Sequence, residues 1–319
     1  MAPALIVLDE HAVAEGLSLA GCMTAVRSAM IALSAGETRQ LPRTMISVGE
    51  RKTFAQMPGA LGPDGYFGAK LVSVFGDPER PGRTAHHGLV VLFEGESGHP
   101  VCVADAGAVT RIRTAAATAV ATDALARSDA RTLVLIGHGH QAGAHLEAIS
   151  QVRSLSRVLV WGRDPARAQA FADETGASLG LPVEAAGDAR AAVAQADIVC
   201  TLTSSPEPVL QGGWLQPGAH VNLVGSSGPA TVEADHEVVT RGRYFVESRE
   251  TAWAAAAELL RARDAGLVGE SHVCAEIGEV LAGKAEGRRS DDEITVYKSL
   301  GHAVQDLAAM AHLHERARS

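Results

Sequence analysis

The stretch 132–149, TLVLIGHGHQAGAHLEAI, decides the fold. Thr132–Ile136 are β-branched or apolar and have the length of a buried strand. They run into a glycine pair, and from Gln141 onward apolar residues recur at helical spacing. Gly137, Gly139 and Ala142 complete G-x-G-x-x-A at this strand-to-helix turn. Gly137 permits the tight turn, Gly139 lets backbone approach a pyrophosphate, and Ala142 allows close helix–strand packing. The first free N–H groups of the helix then face the phosphates. The bare pattern is common. Its position between a strand and a helix separates a dinucleotide loop from a ligand-free glycine turn.

Working outward, RVLVWG (157–162), a helical stretch at 165–175, DIVCTL (197–202), HVNLVG (220–225) and RYFVES (243–248) continue the alternation. Short apolar runs alternating with helices predict an α/β fold, a doubly wound parallel sheet of Rossmann type, over 116–292. Upstream the pattern changes. ALIVL (4–8), helical spacing over 12–34, RTMISV (43–48), YFGAKLVSVF (66–75) and GLVVLFE (88–94) are separated by the turns 76–83 and 95–100. They predict a mainly antiparallel sheet in a second, α+β domain over 1–115. The Ala-rich stretch 110–127 reads as a connecting helix. Residues 293–315 read as helix throughout.

The chain has 319 residues, 46% hydrophobic and 20% charged, an ordinary balance for a two-domain globular protein. Its formal net charge of −9 argues against nucleic acid as a partner, because phosphate contacts need clustered Lys and Arg. An anionic small ligand must then be held by local cations against the global field. No apolar run approaches the roughly 20 residues of a membrane span. Ala4–Leu8 has no basic residues before it and reads as a strand, not a signal peptide. Cys22, Cys102, Cys200 and Cys274 form no C-x-x-C pair and fit a reducing cytoplasm.

The second strand of the Rossmann unit ends at Gly162-Arg163, where an NAD enzyme usually carries an acid for the ribose 2′-hydroxyl. Without that acid nothing repels a 2′-phosphate, and Arg163, helped by Arg167, can pair with one. NADP(H) is therefore favoured, while the adjacent Asp164 keeps NAD(H) open. His138, His140 and His145 lie in or beside the glycine loop without a thiolate or carboxylate at matching spacing. They read as solvated or phosphate-neighbouring side chains, and no metal site is expected.

Several segments together resemble the ornithine cyclodeaminase/mu-crystallin family: LPRTM (41–45), GAKLVSVF (68–75), HHGLVVLFE (86–94), TRIRTAAATAVAT (110–122), the glycine loop, HVNLVGSSGP (220–229) and ITVYKSLGHAVQDLA (294–308). The resemblance implies a substrate and dimerisation domain, completed by C-terminal helices over 293–319, around a Rossmann domain, and a homodimer. It implies that Arg43, Lys70 and Arg113 hold the carboxylate of an amino or imino acid. A guanidinium can bind a carboxylate with two bonds, and a Lys can bond it or move a proton. Lys70 stands out because it interrupts an apolar strand. Arg113 and Thr114, Gln141, Thr201, Val224, Ser227 and Ser299 are implied as cofactor neighbours, beside Gly137, Gly139, Ala142 and Arg163. Where many relatives have Ser or Thr before His86, this chain has Ala85.

The departure that matters lies at 225–229, GSSGP. Ornithine cyclodeaminases carry Gly-Gly-Asp-x-Pro there, with the Asp as acid/base, so Ser227 stands at the Asp position. A hydroxyl cannot take up a proton near neutral pH as a carboxylate can. Cyclodeamination needs base chemistry at an amine. An already protonated imine needs only alignment to accept a hydride. The expected activity is NAD(P)H-dependent reduction of a small imino acid or cyclic ketimine, of the pyrroline- or piperideine-2-carboxylate type, with Lys70 as the catalytic group. An ornithine cyclodeaminase, an alanine dehydrogenase and a non-catalytic NADPH- or small-ligand-binding protein are the alternatives.

Overall fold

The structure, a computed structural model, describes residues 4–50, 52–76 and 84–318, with the backbone alone at 84–86. The turn read at 76–83 lies outside the described residues except for Gly76, as do the side chains of Ala85 and His86. Contacts divide the chain into two units, Met1–Ala116 with His302–Ser319, and Ala117–Gly301. The first boundary falls inside the Ala-rich helix, which runs from Ala106 to Leu125.

The first unit is built on a seven-stranded sheet. Its order is Ile6–Leu8, Pro100–Asp105, Thr84–Phe93, Phe67–Gly76, Lys52–Ala60 and Arg39–Gln40, with Thr44–Gly49 also pairing with Lys52–Ala60. The first pair is parallel and the others are antiparallel. The apolar stretch 12–34 is two helices, Glu10–Gly16 and Leu19–Ser34, each opened by a side-chain cap, Asp9 and Ser18. The second buries Leu19, Cys22, Val26, Ala29 and Met30, a stripe at helical spacing. The helix Ala303–Ala317 lies against the sheet at Gly59 and Gly68. A Cβ at either glycine would stand 3.3 or 3.2 Å from Leu307. These two glycines let the helix approach closely, which sets the depth of Asp306 described below.

The second unit is an eight-stranded sheet, parallel throughout. Its order is Val183–Ala185, Arg157–Trp161, Thr132–Ile136, Ile198–Thr201, His220–Leu223, Thr295–Lys298, Arg243–Val246 and Val273–Glu276. Val134 and Ile136 join one hydrophobic cluster and Leu133 and Leu135 another, so alternate residues of one strand are buried on both faces. That explains its unbroken apolar run.

One expectation is corrected. Residues 293–315 are not helical throughout: Thr295–Lys298 is a strand between His220–Leu223 and Arg243–Val246, and helix begins only at Ala303. Thr295, Val296 and Tyr297 are β-branched or aromatic and fully buried, which suits an interior strand. Gly301, at φ 78°, turns the chain out of it. Residues 293–301 therefore group with the Rossmann unit, not with the first domain.

Candidate active site

In the second unit the expected cofactor residues collect at the carboxyl ends of the parallel strands. Gly137 follows Thr132–Ile136, Arg163 follows Arg157–Trp161, Thr201 ends its strand, Val224 follows His220–Leu223, and Ser299 follows Thr295–Lys298. Gly137 has φ 112°, and a Cβ there would stand 2.9 Å from the Leu202 carbonyl oxygen. Nothing lies within 4 Å of a Cβ built on Gly139, which leaves the backbone open to a ligand. The helix Ala142–Ser150 begins without a side-chain cap. At its N-cap position Gln141 holds a buried Oε1 that has no hydrogen-bond partner. Ala142 is fully buried against the sheet. An open glycine loop and an uncapped helix start, with free N–H donors, are the features a dinucleotide pyrophosphate requires.

At the ribose end, Arg163 is exposed, and Asp164 is occupied as the N-cap of Pro165–Leu179, its Oδ1 accepting from the Arg167 amide at 3.1 Å. A side chain at Gly162 would collide with the His138 ring. His145 differs from the expectation for a solvated histidine. It is fully buried between Thr118 Oγ1 (3.1 Å) and the Gln141 carbonyl (2.8 Å), and burial pushes it down to about 4. It is a neutral packing residue in the first turn of the helix Ala142–Ser150. Among the described residues no group of His, Cys, Asp and Glu could hold a metal ion.

Beneath these loops lies a polar network. Glu233 accepts from the Thr201 hydroxyl (2.9 Å), the Thr203 amide (2.6 Å) and the Ser226 amide (3.0 Å). Lys298, fully buried, donates to the Ser226 carbonyl at 2.6 Å and pairs with Glu258 at 2.9 Å. Glu247 accepts from the Ser299 hydroxyl (3.2 Å) and from the amides of Leu300 and Gly301 (2.8 Å each). The hydroxyls of Thr201 and Ser299 are thus held by carboxylates. Ser226 points inward and Ser227 is exposed.

In the first unit Lys70 and Arg113 come together and Arg43 stands apart. Lys70 is 5% exposed. Its Nζ donates to Thr110 Oγ1 at 2.5 Å and to Asp306 Oδ1 at 3.0 Å. Arg113 Nε donates to the same Asp306 oxygen at 3.0 Å, and its Nη1 donates to Gln305 Oε1 at 2.8 Å. Thr114, the next residue, is also buried. Arg43 is exposed, and its Nε lies 3.4 Å from Met57 Sδ, with no carboxylate partner among the described residues. Two cations share one carboxylate, and Arg43 adds its charge from outside this hydrogen-bonded set, so the cluster keeps a positive excess inside an acidic protein.

Burial pushes the Lys70 ammonium down to about 8; the Asp306 charge opposes this and Arg113 adds to it. Burial alone would raise Asp306, but Arg113 and Lys70 outweigh it and hold the carboxyl below its ordinary range. The nearby Cys22 thiol is pushed up to about 12 by burial and stays neutral.

The sequence of residues 4–319 matches the model of the ornithine cyclodeaminase/mu-crystallin family. The chain belongs to this family. Similar members include a Δ1-pyrroline-2-carboxylate reductase of Bacillus cereus, 35% identical over 269 residues, which are 84% of this chain and 82% of that one. Among solved structures, the Δ1-pyrroline-2-carboxylate reductase of Thermococcus litoralis, in complex with NADH and L-proline, superposes with a TM-score of 0.92 at 30% identity, covering 98% and 97% of the two chains. An archaeal alanine dehydrogenase dimer with bound NAD gives 0.91 at 30% identity, covering 98% and 96%.

Thr110, Gln305, Asp306, Glu233, Glu247, Glu258 and Lys298 are polar residues that sequence reasoning did not single out in this family member. A signal existed for two of them. Lys298 interrupts ITVYKSL and Asp306 interrupts HAVQDLAAM, each a charge within apolar sequence, as Lys70 is within its strand.

Proposed function

We propose that the protein reduces a small imino acid or cyclic ketimine of the pyrroline- or piperideine-2-carboxylate type at the expense of NADPH. The observation that carries this is the Lys70–Asp306–Arg113 cluster, a buried site with surplus positive charge and a lysine near its titration point. Arg43 and the Nη2 of Arg113 take the substrate carboxylate. Lys70 gives a proton to the imine nitrogen, and the imine carbon takes the hydride that a bound nicotinamide supplies. The C=N double bond becomes a C–N single bond, and Lys70 regains its proton from solvent. NADPH oxidation against a panel of cyclic ketimines, and of α-keto acids with amines, tests this. Turnover of one or more imines is expected. Ammonia release from ornithine without imine reduction overturns it.

NADPH is the proposed cofactor. Exposed Arg163 is placed to meet a 2′-phosphate, and the carboxylate next to it in sequence, Asp164, is committed to its helix cap. Arg163→Ala should weaken NADPH by about 10- to 100-fold, the worth of a charge-assisted hydrogen bond, and leave NADH nearly unchanged. Fluorescence titration of both cofactors measures this. Tighter binding of NADH by the wild type would defeat the assignment.

A homodimer is proposed on the sheet face opposite the helix Ala303–Ala317. Val7, Ile46, Phe67 and Leu89 lie on that face and are 72%, 57%, 37% and 48% exposed. An apolar sheet face of this kind is normally covered by a partner, and the similar archaeal alanine dehydrogenase is a dimer. A monomer mass by light scattering would remove this reading. The four free cysteines, three of them buried, support a cytoplasmic location.

A further inference from the structure

We propose that Asp306 is the positioning residue that keeps Lys70 charged and aims its remaining N–H, holding Lys70 Nζ and Arg113 Nε on one carboxylate oxygen at 3.0 Å each. The proposal deepens the imine-reductase reading and rests on it for the role of Lys70.

An ammonium has three N–H donors in a fixed tetrahedral arrangement. Thr110 Oγ1 takes one and Asp306 Oδ1 another. The Thr110 hydroxyl itself donates to the Ala106 carbonyl, which turns its lone pairs toward Lys70. With two donors anchored, the direction of the third is determined. It is the one left to reach an imine nitrogen.

The charge argument is separate. Burial and the cations Arg113 and Arg43 all favour neutral Lys70. Of the other groups near it, the Cys22 thiol is neutral, and Gln305, Met57 and Thr110 do not titrate. Asp306 is thus the negative charge that holds the proton on Lys70. It is 1% exposed and stands in the first turn of Ala303–Ala317, where the helix dipole favours an anion. A carboxylate buried so deeply is costly unless fully paired. Here both of its charged partners are groups expected to meet the substrate.

The chain has only four lysines, Lys52, Lys70, Lys284 and Lys298. An NMR titration of 13Cε-labelled lysine therefore resolves Lys70, with Lys70→Met assigning the signal. In Asp306→Asn, which keeps shape and an acceptor oxygen, the Lys70 midpoint should fall by about 1–3 pH units. The alkaline limb of kcat/KM for a good imine should fall with it, while activity on the acid side returns toward wild type. Asp306→Glu, which restores the charge, should bring the midpoint back and lower the plateau, because the oxygen is displaced. If the Asn variant fails to fold, the Glu variant carries the test: a midpoint as low as burial without a counter-charge gives, or an unchanged plateau, overturns the proposal. An unchanged midpoint in Asp306→Asn also overturns it. A wild type that shows the titration shift yet reduces no imine defeats only the functional reading.

Discussion

Lys70→Ala is expected to lower kcat/KM for a good imine substrate by about 10²–10⁴-fold, the usual worth of a positioned proton donor. The loss should appear mainly in kcat, since Arg43 and Arg113 still hold the carboxylate. Ser227→Ala is the matched comparison. Ser227 is exposed in the loop after His220–Leu223, and only a neutral hydrogen bond, about 0.5–1.5 kcal/mol, is at stake. A Ser227→Ala enzyme as inactive as Lys70→Ala would make the serine catalytic. Brisk conversion of ornithine to proline by the wild type would show that the missing carboxylate is supplied by another group.

The second large effect concerns stability. Lys298→Met should destabilise the Rossmann unit by about 3–5 kcal/mol, because it strands Glu258 at full burial. It also frees the Ser226 carbonyl that Lys298 holds at 2.6 Å. Urea unfolding followed by Trp fluorescence reads the change. Adding Glu258→Gln to Lys298→Met should recover a substantial part of the loss, since the stranded charge disappears. A single mutant within about 0.5 kcal/mol of wild type, the range of ordinary surface changes, would mean that the pair is solvated in solution.

Much of this architecture was legible in the sequence, and the reasons are local. A strand buried on both faces must be apolar throughout, so Thr132–Ile136 and Ile198–Thr201 announced themselves. The glycine loop announced the turn. Thr295–Lys298 did not, because a strand of only four residues shortly before the helical pattern from Ala303 is absorbed into that pattern; its pairing with His220–Leu223 is a long-range fact. Lys52–Ala60 was likewise missed, since Gln56, Pro58 and Gly59 dilute its pattern, although it is a central partner of Phe67–Gly76.

The site shows the same limit. Lys70 and Arg113 could be named from their surroundings and from family resemblance. Asp306 could not be paired with them, because 236 positions separate it from Lys70 and 193 from Arg113. Sequence patterns report which residues are unusual for their element. They do not report which distant residue neutralises them.

The place of Thr295–Lys298 in the large sheet also dictates the order in which the chain can be assembled on the ribosome. Five strands, from Val183–Ala185 to His220–Leu223, can pair as soon as they emerge, and Arg243–Val246 can pair with Val273–Glu276. Neither group can join the other until residue 298 has left the exit tunnel. Until then two apolar strand edges stand open side by side, each able to recruit the wrong neighbour. A nascent chain stalled before that point therefore exposes two unpaired strand edges, and the strand that closes the seam carries Lys298, the residue that holds the Ser226 carbonyl.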